Sequence, residues 1–244
     1  MERNIFFGDA KSCPVNQRSR AFLDWCDTFV TEHDLDHLVI PHQTRGTDGL
    51  CITSKQDLHG KLSVFQVDGD YIITTVPRVG IGVLTADCLP IVIHDPKTHV
   101  LAVIHAGWQG TIGGITEKVV TILIQAFQVD PANLEVSFGP SAKNCCYEVQ
   151  HDFLQHLNTC SFKDAVIEVR NGKLFFDVPL YNRIVLESMG VRPEHIDDSN
   201  NFCTMCNIRF HSYRRALDKK QYITQATIAW ACSPKLRSLS VKLF

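Results

Sequence analysis

Gly82-Val83-Leu84-Thr85-Ala86-Asp87-Cys88-Leu89-Pro90-Ile91-Val92-Ile93-His94-Asp95-Pro96 and, after Lys97-Thr98-His99, Val100-Leu101-Ala102-Val103-Ile104-His105 decide the fold. Three apolar, β-branched runs, Gly82–Asp87, Pro90–His94 and Val100–His105, are parted by Asp and Pro turn signals and are too short for helices. Without a regular polar alternation they read as strands buried on both faces, the centre of a sheet. Cys88 and His105 stand at the ends of two of these runs, each followed at once by a turn or a glycine-rich segment. A structural cysteine sits more naturally mid-strand, whereas a thiol and an imidazole at one sheet rim can meet and do chemistry.

Working outward, Phe22, Trp25, Cys26 and Phe29 recur at helical spacing and predict a helix over 16–32, followed by a short strand at Leu38–Ile40. A polar loop, His42 to Gly49, leads to a further strand at Tyr71–Thr75. Ile115, Val119, Ile122, Leu123 and Ala126 predict a helix from Thr111 to Phe127, just beyond His105. Leu134–Phe138 reads as a strand, 149–158 as a helix, and Val166–Arg170 with Leu174–Asp177 as a hairpin turned by Asn171-Gly172. A helix over Pro179–Met189 closes at Gly190. Interleaved helices and strands without linker, repeat or low-complexity stretch indicate an α/β or α+β domain covering residues 1–244.

Composition narrows the function. The chain has 244 residues, 45% hydrophobic, enough for a large core, and its formal charge of −2 gives no field for a polyanion. Nucleic acid is therefore excluded as the expected partner. No apolar run approaches the ~20 residues of a membrane span, and Met1-Glu2-Arg3-Asn4 lacks the basic and apolar parts of a signal peptide. A cytoplasmic protein with reduced thiols is expected, so the ten cysteines are read as packing groups, ligands or nucleophiles rather than a disulfide framework.

Cys88 with His105 admits two chemistries: zinc ligation, or a cysteine nucleophile activated by histidine. Gly107-Trp108-Gln109-Gly110 and Gly113-Gly114 allow close backbone approach to a ligand, and the helix start beyond them offers N–H groups to an anion. His42, Gln43 and Arg45 cluster behind a strand ending in proline, and Ser212-Tyr213-Arg214-Arg215 supplies hydroxyl, aromatic and guanidinium groups to an anionic or sugar-bearing ligand. Cys203-x-x-Cys206 with His211 has zinc-knuckle spacing on one side only, with no second ligand pair evident, and Cys145-Cys146 reads as packing or loop structure.

Four motifs together, Thr85-Ala86-Asp87-Cys88-Leu89-Pro90, His105-Ala106-Gly107-Trp108-Gln109-Gly110, Gly139-Pro140 with Cys145-Cys146-Tyr147-Glu148-Val149, and Cys203-Thr204 with Phe210-His211-Ser212-Tyr213-Arg214-Arg215, resemble the YfiH-type laccase-domain family, also called polyphenol oxidase and purine nucleoside phosphorylase. Weaker echoes are Gly8-Asp9 with Asn16, Gln43-Thr44-Arg45-Gly46, and Asp70 with Thr74-Thr75. The resemblance implies a single layered α/β domain, YfiH/CNF-like, of mixed sheets sandwiched between helices. It also implies phosphorolysis of adenosine, inosine, guanosine and methylthioadenosine with nucleoside and phosphate as small-molecule partners. Zinc-dependent adenosine deamination stands beside it, Asp87 being placed to carry a proton, and some bacterial members are linked to peptidoglycan precursor editing.

The implied metal is zinc, with copper as the older label, held by a histidine of a Gln-x-His-Gly motif, the Ala-Asp-Cys cysteine and the His-Ala-Gly-Trp histidine; Cys88 and His105 match the last two. Arg45 stands where the first ligand histidine is expected, and arginine keeps its proton and cannot ligate. Either His42 or a water or substrate atom completes the site, or Arg45 replaces the metal as a fixed cation and no cofactor is used. The family's arginine- and glycine-rich opening segment before Gly8-Asp9 is also missing. Three readings follow: a nucleoside-processing enzyme, a metal-free Cys/His hydrolase of an amide or ester, and a non-catalytic member of the family.

Overall fold

A computed structural model describes residues 3–13, 16–17, 19–58, 63–217 and 223–232. In chain order its elements are β1 (Arg3–Phe7), α1 (Arg20–Glu32), β2 (His37–Val39), β3 (Gly49–Ile52), β4 (Tyr71–Thr74), β5 (Val79–Thr85), β6 (Leu89–His94), β7 (Leu101–Ala106), α2 (Trp108–Ile112), α3 (Ile115–Phe127), β8 (Glu135–Phe138), β9 (Glu148–Val149), α4 (Lys163–Val166), β10 (Ile167–Arg170), β11 (Lys173–Phe176), α5 (Val178–Ser188), β12 (Ile196–Asp197) and β13 (Gln225–Ala231).

Side-chain alternation along the central strands builds the layers. On one face of β5, Ile81 and Val83 meet Val92 of β6 and Leu101 and Val103 of β7 between two stacked sheets. These are a four-stranded sheet in the order β1-β13-β5-β2 and a six-stranded sheet in the order β12-β8-β6-β7-β4-β3, both of mixed direction. On the outer face of the first sheet, Phe22, Cys26 and Phe29 of α1 cover Leu38, Leu84, Ala226 and Ile228. On the outer face of the second, Ile91, Ile93, Ala102 and Ile104 pack against Ile115, Val119 and Leu123 of α3 and Val185 and Leu186 of α5. The result is helix, sheet, sheet, helix, the mixed α/β sandwich expected, with a small β10-β11-β9 sheet at its side. Strands β5, β6 and β7 are buried along their whole lengths, so the unbroken apolar runs are covered on both faces.

Several elements differ from the sequence reading for local reasons. The first helix begins at Arg20 because Ser19 is extended and serves as its N-cap. The helix expected from Thr111 to Phe127 is two: α2 starts earlier, at Trp108, and Gly114, at a φ of 83°, turns the chain before α3. Residues 149–158 form the short β9 and a 3₁₀ helix, His151–Leu157, instead of an α-helix. The hairpin holds, with Asn171 and Gly172 at φ of 50° and 73°, the left-handed pair its two-residue turn requires. Among the described residues no helix is long and apolar enough to cross a membrane.

His94 ends β6 with 3% exposure, and among the described residues neither ring nitrogen has a hydrogen-bond partner. Burial, then the nearby Arg3, with His99 in a smaller part, lowers its pKa to about 4 against the opposing pull of Glu135 and Asp95. The unfolded chain therefore binds a proton between pH 6.5 and about 4 that the folded chain refuses, so this contribution is complete above pH 6.5 and is lost as pH falls. Lowering the pH from 7 to 5 should cost about 2 kcal/mol of stability from His94 alone. Urea titrations at the two pH values, repeated with His94→Phe, should show the difference shrink by that amount.

Candidate active site

Strand register brings the chemistry together. Antiparallel pairing of β6 with β7 sets Leu89 against Ala106 and Pro90 against His105, so Cys88, one step before β6, faces Gly107. Pairing of β4 with β7 sets Tyr71 against Ile104, so Asp70, one step before β4, faces His105, whose N–H donates to the Asp70 carbonyl at 2.7 Å. Alternation then sends all three side chains to the face that packs between the sheets, just past the end of its apolar cluster.

Asp70 has no solvent exposure. Its carboxylate accepts from Thr44 N at 3.2 Å, Thr44 Oγ1 at 2.8 Å, Arg45 N at 3.0 Å, Gly46 N at 2.8 Å and His105 Nδ1 at 2.8 Å. Burial would raise its pKa, but the donors, His105 and Gly46 foremost, outweigh that and lower it. An ionised carboxylate only accepts, so Nδ1 of His105 carries the proton and Nε2 is the nitrogen left for Cys88. Burial disfavours the imidazolium of His105. The charge of Cys88, hydrogen bonds to Asp70 and Cys88, and the charge of Asp70 together reverse the sign and raise its pKa to about 9. A β-carbon on Gly107 would lie 3.2 Å from Cys88 Sγ and 3.7 Å from His105 Cε1, so a side chain there would press on the thiol and shift it by a few tenths of an ångström.

The pair opens into a cavity of about 950 Å³ that His42, Gln43, Thr44 and Arg45 wall on one side and Gly107, Trp108, Tyr147, Tyr213 and Arg214 on others. Gln43 does not reach in with its amide: Nε2 donates to Leu84 O at 2.7 Å and Oε1 accepts from Leu84 N at 2.8 Å, clamping the loop onto β5. Arg45 adopts a left-handed φ of 64°, held by the hydrogen bond its backbone N–H donates to Asp70 Oδ1. The ring of His42 turns to Asp68, 3.0 Å from Nδ1 to Oδ1. Trp108 packs on Phe153 and His156 at 5.4 and 5.2 Å. Asp87 reaches the cavity, but its carboxylate accepts from Thr204 Oγ1 and Arg214 N, both at 2.7 Å, and so braces two loops. The guanidinium of Arg214 lies 4.8 Å from the ring centre of Tyr147.

Ser212 and Arg215 do not line the cavity. Ser212 Oγ caps Arg215 N at 3.1 Å, and the Arg215 guanidinium binds the carbonyls of Thr204, Met205 and Phe210. The anion site expected at the helix start shrinks as well, since α2 has five residues and offers little dipole. Sequence reading gave no role to Asp70, Tyr147, Gln17, Phe65 or Thr224, all of which hold or line the site. The signal for Asp70 was present: a carboxylate heading the otherwise apolar run Tyr71-Ile72-Ile73.

The model of a family described as multi-copper polyphenol oxidoreductase laccase matches residues 14–232. The chain belongs to that family. It is 35% identical over 189 residues to adenosine deaminase RL5 from an unknown prokaryotic organism, covering 75% of this chain and 71% of that protein. It is 35% identical over 162 residues to purine nucleoside phosphorylase of Aquifex aeolicus, covering 66% and 72%. The crystal structure of YlmD from Geobacillus stearothermophilus superposes with a TM-score of 0.75 at 25% identity, over 87% of this chain and 80% of that one.

Within the laccase-domain fold the metal question can be put to the donors present. Catalytic zinc takes three protein ligands and keeps a fourth position open, and a blue-copper centre likewise needs three strong ligands. Cys88 Sγ and His105 Nε2 are two suitable donors, with Asp70 fixing the histidine as outer partners do. Among the described residues, however, the group of three or more His, Cys, Asp or Glu ligand atoms lying within 4.8 Å of one another is elsewhere. With His42 bonded to Asp68 and Arg45 in the third place, the Cys88–His105 pair does not fit a three-ligand zinc or copper site.

That other group is Cys145, Cys146, Cys203 and Cys206. It corrects the sequence reading: the second pair for Cys203-x-x-Cys206 exists and is Cys145-Cys146, while His211 lies apart, its Nε2 3.3 Å from Cys13 O. Burial raises Cys145, and pushes Cys146 up to about 11. Burial would also raise Cys203, but hydrogen bonds from the backbone of Cys206 and Lys143 lower it on balance.

If Asp70 organises the site, Asp70→Asn should cost about 3 kcal/mol or more in urea unfolding, because the amide's NH₂ faces N–H donors in a buried network. Asp68→Asn, on the exposed His42 contact, should change stability by less than about 0.5 kcal/mol.

Proposed function

We propose that this chain is a purine nucleoside phosphorylase acting on adenosine, inosine, guanosine or methylthioadenosine, and that its Cys88–His105 pair works without a metal. The carrying observation is one cavity in which a thiol and an imidazole braced by a buried carboxylate share walls with Arg45 and Arg214. Relatives named purine nucleoside phosphorylase support the substrate class.

The chemistry needs few groups. A phosphate oxygen bonds to C1′ of the sugar as the bond from C1′ to the purine nitrogen breaks, and the electron pair leaves with the purine. The hydrogen that phosphate gives up ends on the purine. Arg45 and Arg214 supply positive charge for the phosphate, and the Cys88–His105 pair relays the proton as general base and acid. Trp108 and Tyr213 offer aromatic faces to the base and keep water away. The relative named adenosine deaminase makes replacement of the adenine amino group by water a second activity to assay on the same protein.

A metal-free cysteine hydrolase is favoured by one specific observation, the Cys88, His105, Asp70 series with no third metal donor beside it among the described residues. Peptidoglycan-derived amides are among the substrates it would take. The two readings separate in one set of assays. Phosphorylase activity should release free purine from adenosine or inosine only when phosphate is present, and fall by ~10²-fold or more in both Cys88→Ala and His105→Ala with the fold intact. Purine release without phosphate, or rapid acylation of Cys88 by an activated ester, would replace the phosphorylase with the hydrolase; no turnover of any of these substrates would leave a non-catalytic member. Arg45→His, which restores a third donor, should raise the zinc content by one ion per chain over wild type.

A further inference from the structure

We propose that Cys145, Cys146, Cys203 and Cys206 hold one Zn²⁺ as a structural tetrathiolate that fastens the 143–147 loop to the 201–207 loop at the wall of the cavity. The four Sγ atoms lie within 4.8 Å of one another, Cys146 to Cys206 at 2.8 Å and Cys145 to Cys206 at 3.5 Å. Zn–S bonds of about 2.3 Å in a tetrahedron set sulfurs ~3.8 Å apart, so the cluster reaches that geometry with sulfur movements of about 1 Å. An all-thiolate set is soft, which selects zinc over magnesium, calcium or manganese.

Two further features suit a metal. The loops are tied to each other through their backbones: Ser141 pairs with Cys203 in a β-bridge, Ser141 N donates to Phe202 O at 3.1 Å, and Thr204 N donates to Ser141 O at 2.9 Å. Little ordering entropy is then left to oppose binding. Four thiolates on Zn²⁺ carry a net charge of −2, and two cations stand nearby: Lys143, on the first loop, donates to the Asn201 carbonyl at 3.1 Å, and Arg170, at the end of β10, donates to the Asn144 carbonyl at 2.5 Å. As four Zn–S bonds form, four thiol protons leave to solvent.

The consequence reaches the active site without touching it. Cys146 precedes Tyr147, a cavity wall under the Arg214 guanidinium, and Cys203 precedes Thr204, whose hydroxyl holds Asp87 beside Cys88. A zinc here sets how firmly that wall stands.

The test is metal content by elemental mass spectrometry on the full chain purified under reducing conditions, with cobalt reconstitution as a second readout. One zinc per chain is expected in wild type and in Cys88→Ala, and none above background in Cys203→Ser/Cys206→Ser. Cobalt-loaded wild type should show the intense sulfur-to-cobalt charge-transfer and d–d bands of a tetrahedral tetrathiolate, a readout that stands even if the double variant fails to fold. Zinc lost in Cys88→Ala but kept in the double variant would overturn the proposal. So would metal-free wild-type protein that takes up no cobalt and is two hydrogens lighter than its sequence, the signature of a Cys146–Cys206 disulfide.

Discussion

A carboxylate sealed from solvent, Asp70, accepts hydrogen bonds from two side chains and three backbone amides, and these tie a turn that belongs to no strand to the paired ends of β4 and β7. On one side they bind the turn Thr44-Arg45-Gly46, on the other the end of β7 at His105. An uncompensated charge in that position would cost several kcal/mol, so the turn is wound around the carboxylate and the imidazole is locked to it. The tautomer of His105, the nearness of Cys88 and the left-handed backbone at Arg45 all follow from this single buried anion. Gly110 completes the fit, because a β-carbon there would lie 2.8 Å from the Gly46 carbonyl of the same turn.

Seen from that anchor, Arg45 gains a physical meaning. The turn's geometry is set by its backbone donors, which any residue supplies, so the side chain at this position is free to change chemistry without loosening the loop. Arginine here gives the cavity that the thiol and imidazole face a permanent positive charge in its lining. Such a wall suits a phosphate better than a three-coordinate metal.

Much of this was written plainly in the chain. The apolar runs of β5, β6 and β7, the Asn171-Gly172 turn and the placing of Cys88 and His105 at strand ends were legible, because each depends on a local pattern. Partnership across the fold was not. Asp70 meets His105 only through the register of β4 on β7, and Cys145-Cys146 meets Cys203-x-x-Cys206 only because Ser141 bridges Cys203. Ser212 and Arg215 misled for the opposite reason: a hydroxyl and a guanidinium that look like ligand-binding groups are consumed by loop amides and carbonyls. The short edge strands β1 and β3, and β13 with three alanines in seven residues, carry weak β signal and are defined by the neighbours they pair with.

One ring, that of His105, reports whether the buried anion holds the site. Nitrogen-detected NMR of histidine-labelled, metal-free protein reads both ring nitrogens of His105 directly. The Asp70 anchor predicts Nδ1 protonated, in a strong hydrogen bond, from pH 5 to 8, with loss of the imidazolium charge only near pH 9. A bare Nδ1, or a ring that titrates at the ordinary ~6.5, would contradict it.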